Sequence, residues 1–468
     1  TGMYSARLGA HNMRTGDYHN YKTPEQVTYR KDVGVIDKAG KNIPQYEVVP
    51  PPYVKPFTEI LRTNGYYCAN NFKCDYQFNA PFTAWDEVSS TVSFRDAPKD
   101  SPFFYVWNSL LTHESRIWER SNQPLTVSPK DVKIPSYFPD IPEVRNDIAR
   151  KYSNIEAMDE KVGEIISQLE EDGLLENTII MFWSDHGGNL LRQKRAVGNS
   201  GLNVPLIIRY PNKIDAGKVD DRIVSLMDLG PTVLSLLNIE PPKHYDGKAI
   251  AGQYEESPRE YAFGTADRFD ESTDMQRSVL DGRYVYIKNF MPELPLIYRN
   301  KYRERITMNS KLIQMDSLDM LEGDSKYIFM KTKPLEEFYD LDTDPYEVNN
   351  IIDDPKLADR INDFRVALKN WQKDINDQGF IPENKIVESF WPMMTQPKTQ
   401  NVEFKIRDDG LYELTSITNG ASIGYQIDEK IGTKSWNLYH KPIPVGDKQK
   451  IVARAIRIGY EASEITSK

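Results

Sequence analysis

Cysteine is nearly absent: Cys68 and Cys74 are the only two in 468 residues. Two thiols build neither a disulfide framework nor a four-cysteine zinc site, so they pair with each other or stay free. Long hydrophobic runs are missing too, and no window reaches the roughly 18 apolar residues that a membrane span needs. Basic excess is also lacking. The 59 lysines and arginines are outnumbered by 69 acids, for a formal charge of −10. That balance argues against general nucleic-acid binding and confines any anion site to a local basic pocket. The chain opens on Thr1 with no visible signal peptide, so its start does not report a compartment.

What is present reads as a globular protein of two or three domains, with 39% hydrophobic and 27% charged residues. The informative stretch is 177–211. Ile179 to Trp183 is a short apolar, β-branched and aromatic run, expected as a strand buried on both faces of a parallel sheet. It stops at Ser184-Asp185-His186-Gly187-Gly188, an acid and an imidazole just past the carboxyl end of a strand. Open α/β sheets place their ligand crevices there. Leu-Arg-Gln-Lys-Arg (191–195) follows, then a second apolar strand, Val204 to Ile208.

Other strand tips carry chemistry as well. Tyr66-Tyr67-Cys68 starts a strand after a helix that Gly65 stops, and Asn70, Asn71, Lys73 and Asp75 lie at its end. Phe103 to Trp107 forms another strand, followed by Asn108 and His113. A histidine titrates near neutrality, which suits proton transfer or hydrogen bonding to an anion. The helix over 142–172 repeats apolar residues on one face, and Gly173 ends it. Strand–helix–strand order implies a parallel sheet with right-handed crossovers. Beyond about 258, short strands with turn signals (Asp281-Gly282, Asp344-Pro345) predict a small antiparallel sheet. A helix over 357–375 packs on it through Leu357, Ile361, Phe364, Leu368, Trp371 and Ile375. Pro382, Pro392 and Pro397 suggest a linker, and 401–468 alternates apolar and polar residues as a small β module in which Trp436 and Tyr439 serve the core or stack on sugar.

These motifs, in this order, resemble the sulfatase branch of the alkaline-phosphatase superfamily, and more specifically enzymes like bacterial heparan N-sulfatase and N-sulfoglucosamine sulfohydrolase. The resemblance implies an α/β, alkaline-phosphatase-like, mostly parallel sheet flanked by helices, with a smaller antiparallel α+β subdomain and a C-terminal all-β module. The expected division is a catalytic domain over 1–257, a subdomain over 258–380, a linker over 381–400 and a sandwich-like module over 401–468. Asp185 and His186 match the family's metal ligands. Calcium is implied, although His186 leaves room for manganese or zinc, or for a histidine that only bonds the nucleophile. Lys73, His113 and Lys194 match the residues that contact sulfate, Lys194 lying eleven residues before Pro205.

Two departures stand out. Asp75 replaces the usual histidine and is a substrate-binding candidate. Asn199-Ser200-Gly201 replaces a segment that usually begins with an acid. Arg268, in TADRFDE, is a sugar-binding candidate, and Arg299, Lys301, Arg303 and Arg305 form a basic cluster for a polyanion or a solvated face. Thr1-Gly2 resemble the end of the family signature. The resemblance therefore places the formylglycine nucleophile, derived from cysteine or serine, and the paired metal-binding aspartates upstream of Thr1, and implies that the chain as it stands is an inactive fragment.

The implied substrate is a sulfated oligo- or polysaccharide such as a glycosaminoglycan, with N- and O-sulfate both open. Oligomeric state is likewise open, and the family implies a periplasmic or secreted location. Two other readings compete. One is a phosphodiesterase or phosphonate hydrolase of the same superfamily, which needs more metal-binding histidines than this chain, with six in all, places in the site. The other is a non-catalytic carbohydrate-binding relative.

Overall fold

The computed structural model describes residues 1–16, 36–37, 40–270, 272–446 and 448–468; His19 lies outside them. After a single turn, α1 (Ser5–Leu8), the first long-range unit is a helix–strand pair. Pro56 precedes α2 (Phe57–Thr63), and Gly65, with φ of +86°, turns the chain into β1 (Tyr67–Asn71). A left-handed residue is cheapest as glycine, so the stop signal read from the sequence has a steric cause. β2 (Glu87–Ser89) and β3 (Phe103–Val106) flank β1, both parallel to it, in the order β2-β1-β3. Cys68 and Cys74 are both buried and free.

The turn α3 (Ser115–Glu119) leads to the long helix α4 (Pro142–Glu171), whose Pro142 occupies a first-turn position where no amide donor is needed. Its amino-terminal half buries Val144, Ile148 and Ala149 against Ile306, Met308 and Leu312. Its carboxyl-terminal half turns Val162 and Ile165 towards an open cleft.

β4 (Ile180–Trp183) stands across that cleft from β3, and the sequence expectation needs correcting here. β4 is half-buried along its length and pairs antiparallel with β5 (Leu206–Arg209), not within the parallel sheet. The apolar run reads as fully buried because its side chains wall an apolar cleft shared with Phe104 and Val106 of β3. The turn α5 (Asn199–Leu202) sits between β4 and β5, and α6 (Leu229–Leu236) adds Val233 and Leu236 to the cleft wall.

The antiparallel sheet expected past residue 258 is present, in the order β6 (Ala262–Ala266), β7 (Gln276–Leu280), β8 (Tyr284–Asn289), β9 (Glu336–Asp340). Two short helices, α7 (Thr307–Ser317) and α8 (Asp324–Ile328), lie in the β8–β9 connection. α9 (Ala358–Ile375) buries Ile361, Phe364, Leu368, Trp371 and Ile375 against Val279, Tyr286 and Phe338, as its periodicity predicts. Burying each such side chain contributes about 1.5–3 kcal/mol.

Within 381–400, where prolines suggest a linker, the chain folds as α10 (Glu383–Phe390) and packs Val387 and Trp391 on Tyr46 and Val48. The last segment holds a hairpin, β10 (Glu403–Ile406) with β11 (Tyr412–Thr415). A second sheet has the order β13-β12-β14-β15, made of β12 (Ser422–Ile427), β13 (Asn437–Leu438), β14 (Ile451–Ile456) and β15 (Thr466–Ser467). Both share one core around Leu414, Ile423 and Ala453. Tyr439 packs against that core, and Trp436 lies 5.3 Å from Phe82. Among the described residues no helix is long and apolar enough to cross a membrane.

Candidate active site

The tips of β1, β3 and β4 meet at one mouth of the cleft. Phe72, with φ of +42°, turns the chain sharply after β1 and presents Lys73. The Asn108 amide donates to Asn70 Oδ1 (2.9 Å) and to the Asn71 carbonyl (3.0 Å), locking the ends of β1 and β3 together. Lys73 Nζ then lies 3.9 Å from Asp185 Oδ2, beyond β4. Lys73, Asp75, His113, Asp185 and His186 all line this cleft. Its volume of about 1850 Å³ exceeds what a single sugar ring fills, so the polar mouth, rather than the whole void, is the candidate site.

His113 is oriented by its own loop. The Ser115 amide donates to its Nδ1 (3.3 Å), so in the neutral ring the proton sits on Nε2. Nε2 faces Lys194 Nζ at 3.4 Å. With the proton on Nε2 neither nitrogen accepts from the other, so an acceptor such as an anion would satisfy both. Burial, and next the Lys194 ammonium, push the His113 imidazole down to about 4, so it is neutral at pH 7.

Lys194 is also lowered, first by burial, while the adjacent Glu114 carboxylate works in the opposite direction. Glu114 is fully buried and receives Lys194 Nζ at 3.0 Å. Burial raises its carboxyl, but Lys194 and Arg195 overcome this and bring it to about 2.

The loop that carries Asp185, His186 and Lys194 is folded tightly on itself. The Gly187 amide donates to the Gly201 carbonyl (2.8 Å), and a Cβ at Gly187 would lie 2.0 Å from the Ser200 carbonyl oxygen. No side chain fits there. Glu347, distant in sequence, accepts from the Asn199 amide at 2.8 Å. Arg192 clamps the same neighbourhood by donating to the carbonyls of Tyr346 and Glu347.

Asp185 and His186 present a donor set that suits a metal in orientation but not in number. His186 Nδ1 donates to the Gly187 carbonyl (2.8 Å), which frees Nε2 as an acceptor 3.6 Å from Asp185 Oδ1. A backbone carbonyl behind a ligating imidazole is the usual support for such a ligand. Among the described residues no group of three or more His, Cys, Asp or Glu side chains converges as a metal site. Calcium takes six to eight oxygens, so this pair supplies only part of a coordination shell.

Arg268 falls outside the site. It is 2% exposed, makes two 2.7 Å bonds to Glu383 and donates to the carbonyls of Met13 and Asp270. Its guanidinium is spent on structure, which corrects its assignment as a sugar-binding residue. The basic cluster near 300 also divides. Arg299 pairs with Glu304 at the surface, Arg305 lies over Trp118, and Arg303 is buried 3.6 Å from Glu114. Glu114 itself was missed by the sequence reading. Its signal was an acid next to His113 in a segment otherwise bound for the interior.

With this geometry in place, the comparisons are decisive. The sulfatase family model matches residues 18–239. An ulvan-active sulfatase of Formosa agariphila is 37% identical over 505 residues, covering 99% of this chain and 81% of its own. The chain belongs to the sulfatase family. Human N-sulphoglucosamine sulphohydrolase is 25% identical to this sulfatase over 58% of the chain and 57% of its own length. A solved 2-O GAG sulfatase shares the fold, with a TM-score of 0.51, 16% identity and 80% of each chain covered. The resemblance drawn from strand tips and motif order is thus borne out for this sulfatase, as is its mixed α/β fold.

Proposed function

We propose that this protein is a sulfuric ester hydrolase of sulfated carbohydrate, of the ulvan or glycosaminoglycan kind, exported to the periplasm or beyond. The convergence of Lys73 and His113 on the mouth that also holds Asp185 and His186, with Lys194 Nζ buried 3.4 Å from His113 Nε2, supports this reading above all. A sulfate monoester spreads its charge over several oxygens, and fixed cations around it stabilise attack at sulfur. The two ammonium groups face those oxygens. The neutral His113 donates its Nε2 proton, a hydrogen bond that strengthens as charge builds on the departing oxygen. Asp185 and His186 would contribute two ligands to a divalent metal, which would supply Lewis-acid polarisation of a sulfate oxygen. Calcium is the first expectation from the family.

The attacking group in this proposal is the formylglycine that the family carries. Among the described residues β3 is bonded only to β1 and β4 only to β5, and their facing edges bound an apolar space that opens at the mouth beside Asp185. The test is release of sulfate from sulfated ulvan oligosaccharides and aryl sulfates, set against matched aryl phosphates. Preferential sulfate release supports the proposal. Preferential phosphate release, or none of either, defeats it.

A further inference from the structure

Behind the sulfate-facing donors lies a carboxylate with no role so far. Glu114 is fully buried, directly follows His113, and is met by three cations from two other parts of the chain. Lys194 Nζ lies at 3.0 Å, Arg195 Nη1 at 3.3 Å from both oxygens, and Arg303 Nε at 3.6 Å. Arg303 is itself fixed by donating to the Leu190 carbonyl (2.9 Å), and Arg195 by Asp270 at 3.6 Å and by the Phe269 ring, 4.4 Å from its guanidinium.

Such an array is costly to bury, because each ion loses its hydration and one carboxylate cannot repay three cations. Neutralising Lys194 would need only one acid for one lysine. Sharing Glu114 among three cations, of which only Arg195 also meets a second carboxylate, Asp270, does something else: it holds the lysine in one direction while leaving the pocket electropositive. That direction is set by geometry. With Glu114 on one side of the ammonium, the other side faces His113 Nε2, and His113 lines the cleft. A lysine free to rotate about its four-carbon stem would lose that aim.

We propose that Glu114 is the positioning residue of the site, orienting Lys194 so that its ammonium and the His113 Nε2–H present one donor face to an anion at the cleft mouth. This rests on the sulfate-binding reading of that mouth. The other charged or titratable groups around the pair are Lys73, Asp185 and His186 across the mouth, Arg14 and Tyr302 beside His113, and Asp270 beyond Arg195.

The experiment follows acetylation of individual lysines in the full chain by acetic anhydride, read by mass spectrometry as a function of pH. Glu114→Gln should lower the midpoint for Lys194 by about one unit or more, a tenfold faster reaction near neutrality, and leave the Lys73 midpoint in place. Glu114→Asp keeps the charge, so it should hold the Lys194 midpoint within about half a unit even where packing suffers. Should Glu114→Gln fail to fold, the double variant Glu114→Gln/Arg303→Met removes a cation with the anion and must show the same shift. An unchanged Lys194 midpoint in a folded Gln variant overturns the proposal, as does an equal shift with Asp. Inorganic sulfate should slow Lys194 acetylation in the wild type and require tenfold more salt to do so in Glu114→Gln. Absence of that protection with the midpoint shift intact counts against the sulfate reading and leaves the Glu114 assignment standing.

Discussion

Lys73 Nζ lies 3.9 Å from Asp185 Oδ2, so the turn after β1 and the turn after β4 touch across the mouth of a cleft that their own strands do not bridge. The pair is partly exposed, and its weight is functional more than stabilising. Replacing Lys73 with Met should lower kcat/KM for a sulfated substrate on the order of a hundredfold, the usual loss for one preorganised donor. Melting temperature should stay near that of the wild type. A rate within a few-fold of wild type would remove Lys73 from the sulfate contact.

His113 titrates at about 4 because burial and the Lys194 ammonium both disfavour its charged form. Lys194→Met should therefore raise that midpoint towards the ordinary value near 6.5, which NMR of the imidazole carbons would follow. Adding sulfate to the wild type should also raise it, since an anion favours the imidazolium. A midpoint that ignores both changes would mean that His113 does not face the anion site.

Glu114 makes acid stability readable. Its folded carboxyl, brought to about 2, lies below an unfolded value near 4.5. Its contribution is then complete above pH 4.5 and is lost as pH falls from there through about 2. Glu114→Gln should flatten the stability curve in that window and cost about 3–5 kcal/mol at pH 7, because three buried cations lose their partner. Chemical denaturation at a series of pH values checks both.

Arg268 should behave as a structural residue. Arg268→Met leaves Glu383 buried without its bidentate partner and should destabilise the fold by about 3–5 kcal/mol. The double change Arg268→Met/Glu383→Met should recover much of that loss. KM for a sulfated oligosaccharide should be unchanged in the folded fraction; a selective rise in KM would restore its sugar-binding role.

Gly187→Ala tests how the loop carrying the proposed metal ligands Asp185 and His186 is held. The added methyl meets the Ser200 carbonyl at 2.0 Å, so the loop must shift. Divalent-metal affinity, measured by calorimetry, should fall at least tenfold, with a loss of stability of about 1–3 kcal/mol.

Much of this was legible in one dimension. Apolar runs and their stop signals gave β1, β3 and β4. The 3.6-residue period gave α4 and α9, because a helix must bury one stripe. Local chemistry at the tip of β4 singled out Asp185 and His186, since a strand's end is visible in sequence wherever it lies in space, whereas Lys73, His113 and Lys194 were assigned through the resemblance to the sulfatase family. Pairing was not legible. An apolar run lining a cleft and one inside a sheet have the same composition, so β4's antiparallel partner was decided only by the fold. Arg268 and Glu114 show the same limit from opposite sides. Whether a charged side chain meets solvent, substrate or a buried counter-ion depends on residues far away in sequence. Only tertiary packing brought Glu383 to the one, and Lys194, Arg195 and Arg303 to the other.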